Sequence, residues 1–171
     1  MTTEQAIHLL SNHLEVFKAL LQDVPNEQVR WKPAPDTWSI LEVINHLYDE
    51  ERDDFRTRFR LVLEDPTQSW PPIDPPRWAI ERKYNERELQ TSLDNFVKER
   101  ENSLEWLSSL IAPRLENTAK HPGGFTLSAG DLLASWVAHD LLHIRQMTRL
   151  KYQYLAEQVK PYQIGYAGDW Y

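Results

Sequence analysis

Residues 128–150 read SAGDLLASWVAHDLLHIRQMTRL, and this stretch decides the fold. Its apolar side chains recur three and four residues apart, which is the spacing of one face of an α-helix. Ser128 and Asp131 form the capping pair that begins such a helix, and the helix can continue towards Leu155 before Pro161. The stretch therefore predicts a long helix that buries one face against neighbouring helices.

Two histidines, His139 and His143, interrupt that apolar face. Residues four apart in a helix share a face, so both imidazoles are expected to point into the same interior space. Zinc and similar ions need three or four ligands, and the candidate for a third is His46 on another predicted helix. Buried histidine is also commonly a core residue that bonds a carbonyl or a carboxylate, so the spacing alone leaves both interpretations open.

Three more helices are predicted from apolar spacing and from capping residues. Their expected extents are residues 4–24, residues 39–64 after a Ser39–Glu42 capping pair, and a third helix from an Asn85–Glu88 capping pair to Pro113. Four helices and no sustained strand predict an all-α fold, a four-helix bundle. The length of 171 residues suits one domain over residues 1–171.

The connections are rich in proline and aromatic residues. Residues 65–85 contain five prolines together with Trp70 and Trp78, which predicts a long crossover between helices two and three without a helix of its own. This crossover either seals the bundle with its tryptophans or forms a lid over a site. A short hairpin is possible around residues 121–127. The aromatic tail, residues 161–171, is expected to pack back on the bundle or on a second subunit.

Composition excludes several classes of function. The formal charge of -7 argues against a nucleic-acid surface, which needs clustered Lys and Arg. The one arginine-rich run, residues 52–60, is interleaved with acids and is interpreted as a solvated helix face with local ion pairs. No apolar run could cross a bilayer and the N-terminus lacks signal-peptide features, so the expected location is cytoplasmic. Because the chain has no cysteine, any thiol chemistry must use a small-molecule thiol.

The remaining polar candidates rank below the histidine pair. Glu50, one turn after His46, is interpreted as a general base or as a partner of a metal ligand, above direct ligation, with a surface salt bridge as the plain alternative. Gln146 and Asp140 flank the pair and could hydrogen-bond ligands or water, although Asp140 is expected to point away from the apolar face. The other histidines are interpreted as surface residues: His8, His13 and His121.

Several motifs together resemble a known family. They are Arg30-Trp31-Lys32-Pro33, Trp38-Ser39-Ile40-Leu41-Glu42-Val43, His46-Leu47, His121-Pro122 and His139-Asp140-Leu141-Leu142-His143-Ile144-Arg145-Gln146. This pattern resembles the DinB-like superfamily of bacterial four-helix-bundle metalloproteins, from helix one through helix four. The most specific element is one histidine early in helix two combined with a HxxxH in helix four.

The resemblance implies a metal held by His46, His139 and His143, commonly zinc or nickel, with water completing the coordination. Imidazole ligands also accept iron and manganese. Some relatives are thiol S-transferases that use bacillithiol or mycothiol, others isomerise maleylpyruvate with a thiol, and many have no established activity. Relatives often carry a further histidine where this chain has Leu142, a departure that removes no assigned ligand.

Three hypotheses about function follow. In the first, a small-molecule thiol binds the metal and attacks an electrophile such as an epoxide or alkyl halide, with Glu50 accepting the thiol proton. In the second, the metal activates water for hydrolysis of an amide or ester, with Glu50 as the base. In the third, the bundle is a homodimer that binds a metal or ligand without turnover and serves as a scaffold.

Overall fold

The computed structural model describes residues 1–168 and 170, and it confirms the predicted four-helix bundle. Its helices are α1 (Thr3–Leu21), α2 (Asn26–Arg30), α3 (Ile40–Asp49), α4 (Arg56–Glu64), α5 (Pro75–Glu81), α6 (Leu89–Ser109) and α7 (Ala129–Gln158). A π-helical segment, Glu50–Phe55, joins α3 to α4 without a break, so these two form one bundle helix. Together with α1, α6 and α7 they make the four members of the bundle.

Side-chain caps fix where the bundle helices begin. Ser39 and Glu42 form a reciprocal capping box at the start of α3, and Ser128 and Asp131 form another at the start of α7. Each serine accepts a backbone N–H that the first helical turn leaves unpaired, while the acid accepts the N–H of the serine. Both predicted starts are therefore confirmed.

The core consists of two apolar clusters separated by a buried polar layer. One cluster contains Phe59 and Trp136, and the other contains Phe17, Phe96 and Ile44. Between them, each bundle helix contributes buried polar side chains, namely His13, His46, Glu50, Glu51, Asp54, Arg100 and Asp140. Buried polar groups cost free energy unless they are paired. The composition of this layer is therefore the feature of the fold that calls for a functional explanation.

The crossover between α4 and α6 differs from the sequence prediction in one respect. It contains the helix α5, which begins with Asp74 as its side-chain cap and with Pro75 in its first turn. Proline is tolerated there because the first helical N–H groups have no partner within the helix. Trp70 in this crossover is buried in a core cluster, and Arg82 lies over the ring of Trp78.

The start of α6 is also corrected. Glu88, and not Asn85, precedes the first helical residue, and it makes no side-chain capping bond. The Asn85 side chain is used elsewhere, because it accepts a hydrogen bond from the Ser39 hydroxyl and donates one to the carbonyl of Arg30. A capping pattern considers only neighbouring residues. It therefore does not reveal that Ser39, 46 positions away in the chain, binds the side chain of Asn85.

The hairpin and the tail complete the chain. Strands β1 (Thr118–Lys120) and β2 (Thr126–Ser128) pair antiparallel, with Ala119 opposite Leu127. In the tail, Trp170 packs on Tyr152 of α7, with ring centroids 5.3 Å apart. The prediction for the tail extends to Asp169 and Tyr171, which lie outside the described residues. Across the described part of the chain, no helix combines the length and apolarity needed to span a membrane.

Candidate metal centre

Two bundle helices bring three histidines together in the polar layer. His46 comes from α3, and His139 and His143 come from consecutive turns of α7. Nε2 of His139 lies 3.4 Å from Nε2 of His46 and 3.0 Å from Nε2 of His143. One ligand atom from each residue can be chosen so that all three lie within 4.8 Å of one another. The side chains predicted as metal ligands therefore converge on one point.

Aromatic side chains enclose the histidine rings. The ring of Trp38 lies 4.7 Å from that of His46, and the ring of Phe55 lies 5.0 Å from that of His139. His46 is only 5% exposed, and the other two histidines are half-buried. Charged imidazolium is poorly solvated in such surroundings, which favours the neutral form.

The pKa values of the rings follow from this burial. Desolvation, assisted by the neighbouring imidazoles, lowers the pKa of His46 to about 2. Desolvation also lowers the pKa of His139 to about 3 and moves that of His143 below its usual range. All three rings are therefore neutral at neutral pH, which is the state in which imidazole binds a metal.

A hydrogen bond determines the tautomer of His143. Nδ1 of His143 lies 2.7 Å from Oε1 of Gln146. Because a carbonyl oxygen can only accept, Nδ1 carries the proton and Nε2 presents its lone pair towards His139. The sequence-based suggestion that Gln146 hydrogen-bonds a candidate ligand is thus confirmed.

Glu50 lies on the opposite side of the His46 ring. Its Oε1 is 3.7 Å from Nδ1 of His46, and both atoms are buried without a hydrogen-bond partner. Desolvation, together with the negative charge of nearby Asp54, raises the pKa of Glu50 to about 9. The Glu50 carboxyl is only 4% exposed, so the alternative of a surface salt bridge is wrong.

The donor set suits a divalent cation. Two nitrogens that each lie about 2.0–2.1 Å from one tetrahedral ion are about 3.3 Å apart. The observed separations between Nε2 atoms, 3.4 and 3.0 Å, match that requirement. A carboxylate beside the far nitrogen of a histidine ligand is also common in metal sites. His46 with Glu50 has this arrangement.

Beside the centre, the polar layer contains an ion network that the sequence interpretation missed. Arg100 is 1% exposed, and its two terminal nitrogens donate to the two carboxylate oxygens of Asp140 at 2.6 and 2.9 Å. Nε of Arg100 donates to Glu51 at 2.9 Å, and Trp136 donates to the same carboxylate. Burial alone would raise the pKa of Asp140, but the charge of Arg100 lowers it below its usual value.

The observed burial of side chains corrects four predictions from sequence. His13 is buried and lies 3.3 Å from Asp140, so it is not a surface residue, and Asp140 is fully buried. The run over residues 52–60 is not a uniformly solvated face, because Asp54 and Arg58 are buried in it. His8 is exposed, whereas His121 is half-buried and stacks on Phe125. The sequence did contain a signal for the network: Arg100 is a charged residue at a core position of the apolar repeat of its helix.

Comparisons with known proteins agree with this arrangement. Residues 9–147 match the sequence profile of the DinB superfamily. A protein of Oceanobacillus iheyensis described as a "Putative metal-dependent hydrolase" is 28% identical over 144 residues, which cover 81% of this chain and 82% of that protein. The solved structure of YfiT from Bacillus subtilis, described as a "probable metal-dependent hydrolase with an unusual four-helix bundle topology", superposes with a TM-score of 0.79. The superposition covers 88% of this chain and 86% of the YfiT chain, at 20% sequence identity, and at this identity it shows a similarity of fold alone.

Proposed function

Because the chain belongs to the DinB superfamily, we infer that it is a metal-dependent enzyme whose ligands are His46, His139 and His143. The observation that carries the proposal is the convergence of three neutral imidazoles, in which Nε2 of His139 lies from each of the other two Nε2 atoms at about the separation of two ligands of one ion. Three protein ligands, rather than four, are typical of catalytic sites, which keep a coordination position for substrate. A divalent ion, zinc or nickel first and iron or manganese next, is the proposed cofactor.

When bound, such an ion supplies Lewis acidity, which polarises an electrophile and lowers the pKa of a nucleophile beside it. The protein residues have separate tasks. Gln146 fixes the tautomer of His143, and the aromatic rings of Trp38 and Phe55 limit the access of water. Glu50 is protonated at neutral pH in the metal-free chain, since its pKa is about 9. Because the Glu50 carboxyl faces Nδ1 of His46, the ring nitrogen remote from the other two histidines, we propose it as the partner that orients His46, in preference to a general base.

Two nucleophiles are proposed for this centre. A small-molecule thiol is supported by the resemblance to thiol S-transferases. Because the chain has no cysteine, the thiol of such a reaction must come from a separate molecule. In that reaction the thiol proton passes to solvent, a sulfur–carbon bond forms, and the bond from carbon to the leaving group breaks. Water is supported by the description of the Oceanobacillus iheyensis relative as a metal-dependent hydrolase. In that reaction water loses a proton to solvent as its oxygen attacks the carbonyl carbon of an ester or amide, and the alcohol or amine departs with a proton.

The first experiment is elemental analysis of the purified protein and of the His46→Ala, His139→Ala and His143→Ala variants. We expect about one equivalent of metal in the wild type and its loss in each variant. His8→Ala, which removes an exposed histidine outside the centre, is the matched control and should keep the metal. Wild type without metal after reconstitution with zinc or nickel would contradict the proposal.

The loaded protein should then be assayed with thiols plus alkyl halides or epoxides, and separately with esters and amides. Turnover that requires the added thiol identifies a transferase, and turnover without it identifies a hydrolase. A protein that binds metal and turns over neither set supports the remaining alternative of a homodimeric scaffold, which sedimentation would test.

A further inference from the structure

Four buried polar residues form a row that leads away from the candidate metal centre. His46, Glu50, Asp54 and Arg58 follow one another at intervals of four residues along α3, the π-helical segment and α4. Their exposed fractions are 5%, 4%, 7% and 6%. The proposed function uses the first two and leaves Asp54 and Arg58 without a task. Burying two more ionisable groups next to Glu50 is costly unless they contribute to the site.

The π-helical segment keeps this row straight. In an α-helix of 3.6 residues per turn, a step of four residues overshoots a full turn by about 40°, so three such steps drift around the helix. Residues 50–55 have hydrogen bonds of the wider i to i+5 type, in which four residues fall short of a full turn. The step from Glu50 to Asp54 therefore offsets the drift. The Thr57 hydroxyl donates to the carbonyl of Arg52 at 2.8 Å and so supports this segment.

Contacts continue along the row to the crossover, beginning with the carboxyls of Glu50 and Asp54, which lie close enough for each to shift the pKa of the other. Nε of Arg58 lies 2.7 Å from Oδ1 of Asp54, in an ion pair that lacks the alignment of a hydrogen bond. The Arg58 guanidinium lies 4.9 Å from the centroid of the Trp70 ring and donates to the carbonyl of Pro71 at 3.4 Å. The far end of the row is thus held by the proline-rich crossover.

The row also contains nearly all the buried side-chain polar atoms that lack a hydrogen bond in the described part of the chain. Of six such side-chain atoms there, five belong to the row and to its end, namely His46 Nδ1, Glu50 Oε1, Asp54 Oδ1, Arg58 Nε and Trp70 Nε1. Native proteins leave few buried polar atoms unpaired, and those that remain call for an explanation. Hydrogen bonds of active sites are often long in the free protein and tighten when the site is loaded. The 3.7 Å separation between His46 Nδ1 and Glu50 Oε1, and the Arg58–Asp54 ion pair that lacks hydrogen-bond alignment, fit that behaviour.

We propose that Asp54 and Arg58 are positioning residues of the metal centre, where Arg58, anchored on Trp70 and Pro71, holds Asp54, and Asp54 holds Glu50 against Nδ1 of His46. The inference rests on the proposed function, because the orientation of His46 matters only if that residue binds metal. It assigns a task to the crossover, which becomes the support of the metal centre. The residues that carry the effect touch neither the ion nor the substrate.

The test is the affinity of the metal-free protein for Zn²⁺ alone, measured by competition with a chelating indicator. Asp54→Asn should weaken binding about tenfold, the lower end of the range for partners of metal ligands. Glu50→Gln should weaken it as well, and the Glu50→Gln/Asp54→Asn double variant should bind within about twofold of Glu50→Gln, because Asp54 acts through Glu50. Asp53→Asn is the matched control, since this neighbouring carboxylate pairs with Arg52 and Arg82 outside the row.

Two results would overturn the inference. One is zinc affinity in Asp54→Asn equal to that of Asp53→Asn, and the other is an Asp54→Asn effect that persists undiminished in the Glu50→Gln background. Failure of the proposed metal centre gives a different result, since wild type itself would then take up no zinc. A wild type that binds zinc but has no turnover would overturn the proposed enzyme activity and leave this affinity comparison valid.

Asp54→Asn leaves the buried Arg58 charge unpaired and can impair folding. Circular dichroism therefore accompanies each measurement. If Asp54→Asn does not fold, the Asp54→Asn/Arg58→Met variant removes both charges of the pair and should show the same loss of about tenfold in zinc affinity. Wild-type affinity in that variant overturns the inference.

Discussion

At the scale of single residues, the candidate centre depends on which ring nitrogen of each histidine is free. Gln146 and His143 lie three residues apart on α7, so their hydrogen bond follows from the helix itself. Nδ1 of His46 has no hydrogen-bond partner, and the group that faces it, one helical turn further on, is the buried carboxyl of Glu50 at 3.7 Å. The two histidines are thus oriented by different means.

Gln146→Ala removes the acceptor that fixes the tautomer of His143. We expect zinc affinity to fall about tenfold, as is usual when a partner of a metal ligand is lost. Gln146→Glu, which retains an acceptor, should lose less. Gln153→Ala, two turns further along α7, is the control, and an equal loss in that variant would contradict the assigned role.

The lowered pKa of His139 makes the stability of the metal-free protein depend on pH. The folded value is about 3 and the usual value is 6.5, so the unfolded chain binds the extra proton first as pH falls. The free energy of unfolding should therefore hold above pH 6.5 and fall below it, by about 1.4 kcal/mol per pH unit for this group.

Urea unfolding in the presence of a chelator, compared between wild type and His139→Gln, isolates that contribution. As pH falls from 6.5 to about 5, the free energy of unfolding of the wild type should decrease relative to that of His139→Gln. Parallel pH profiles would show that His139 keeps an ordinary pKa in the folded protein.

At the scale of the elements, the helix that carries two of the three candidate ligands is fixed by its first turn. Ser128 accepts the N–H of Asp131 at 3.0 Å, and the Asp131 carboxylate accepts the N–H of Ser128 at 2.8 Å. These bonds determine where α7 begins, and the 3.6-residue repeat then places His139 and His143 on the inner face. Capping and histidine placement are therefore linked along one element.

Ser128→Ala should lower the free energy of unfolding by about 1 kcal/mol, since it removes the side-chain cap of α7. The measurement is urea unfolding monitored by circular dichroism. Ser108→Ala is the matched control, because that exposed serine bonds only to the Leu104 carbonyl of its own helix. Zinc affinity should be unchanged in both variants, and a large loss in Ser128→Ala would show that the start of α7 also orients the histidines.

The π-helical segment is an element that the sequence analysis did not predict. Residues 39–64 follow the expected limits of one helix, yet residues 50–55 widen its turn and carry Glu50, Glu51 and Asp54 into the interior. Such segments inside α-helices occur frequently at functional sites. Here the segment serves both the row that leads from His46 and the network around Arg100.

At the scale of the whole molecule, the polar layer joins all four bundle helices at one level. Arg100 of α6 contacts Asp140 of α7, Glu51 of the π-helical segment and the carbonyl of Leu10 in α1. A fully buried guanidinium is tolerated only with this degree of pairing. The network therefore fixes the register of the helices that carry His46 and His139.

Arg100→Met should lower the free energy of unfolding by about 3–5 kcal/mol, because it leaves two buried carboxyls without their cation. Urea unfolding measures the loss. Lys98→Met removes a positive charge from the exposed face of the same helix and should change stability by less than about 0.5 kcal/mol. Comparable losses in the two variants would contradict a buried network, and recovery is expected in the Arg100→Met/Glu51→Gln/Asp140→Asn triple variant.

The sequence by itself determined the features that depend on neighbours along the chain. Apolar spacing and the capping pairs at Ser39 and Ser128 fixed two helix starts, and the interval of four residues placed His139 and His143 on one face. Prediction from sequence was wrong at Asn85, whose side chain bonds Ser39 and does not cap a helix. It was also wrong at α5, a helix whose first turn contains proline. Local patterns succeed where no distant group competes for the same atoms.

Only the tertiary structure decided which buried polar groups meet. His46 approaches His139 across 93 residues of chain, and Arg100 approaches Asp140 across 40. A helical repeat gives the angle of a side chain around its own axis but not the identity of the group that faces it from another helix. A polar residue can be buried only where such a partner exists. Its burial therefore depends on packing between helices, which assembles both the histidine centre and the network beside it.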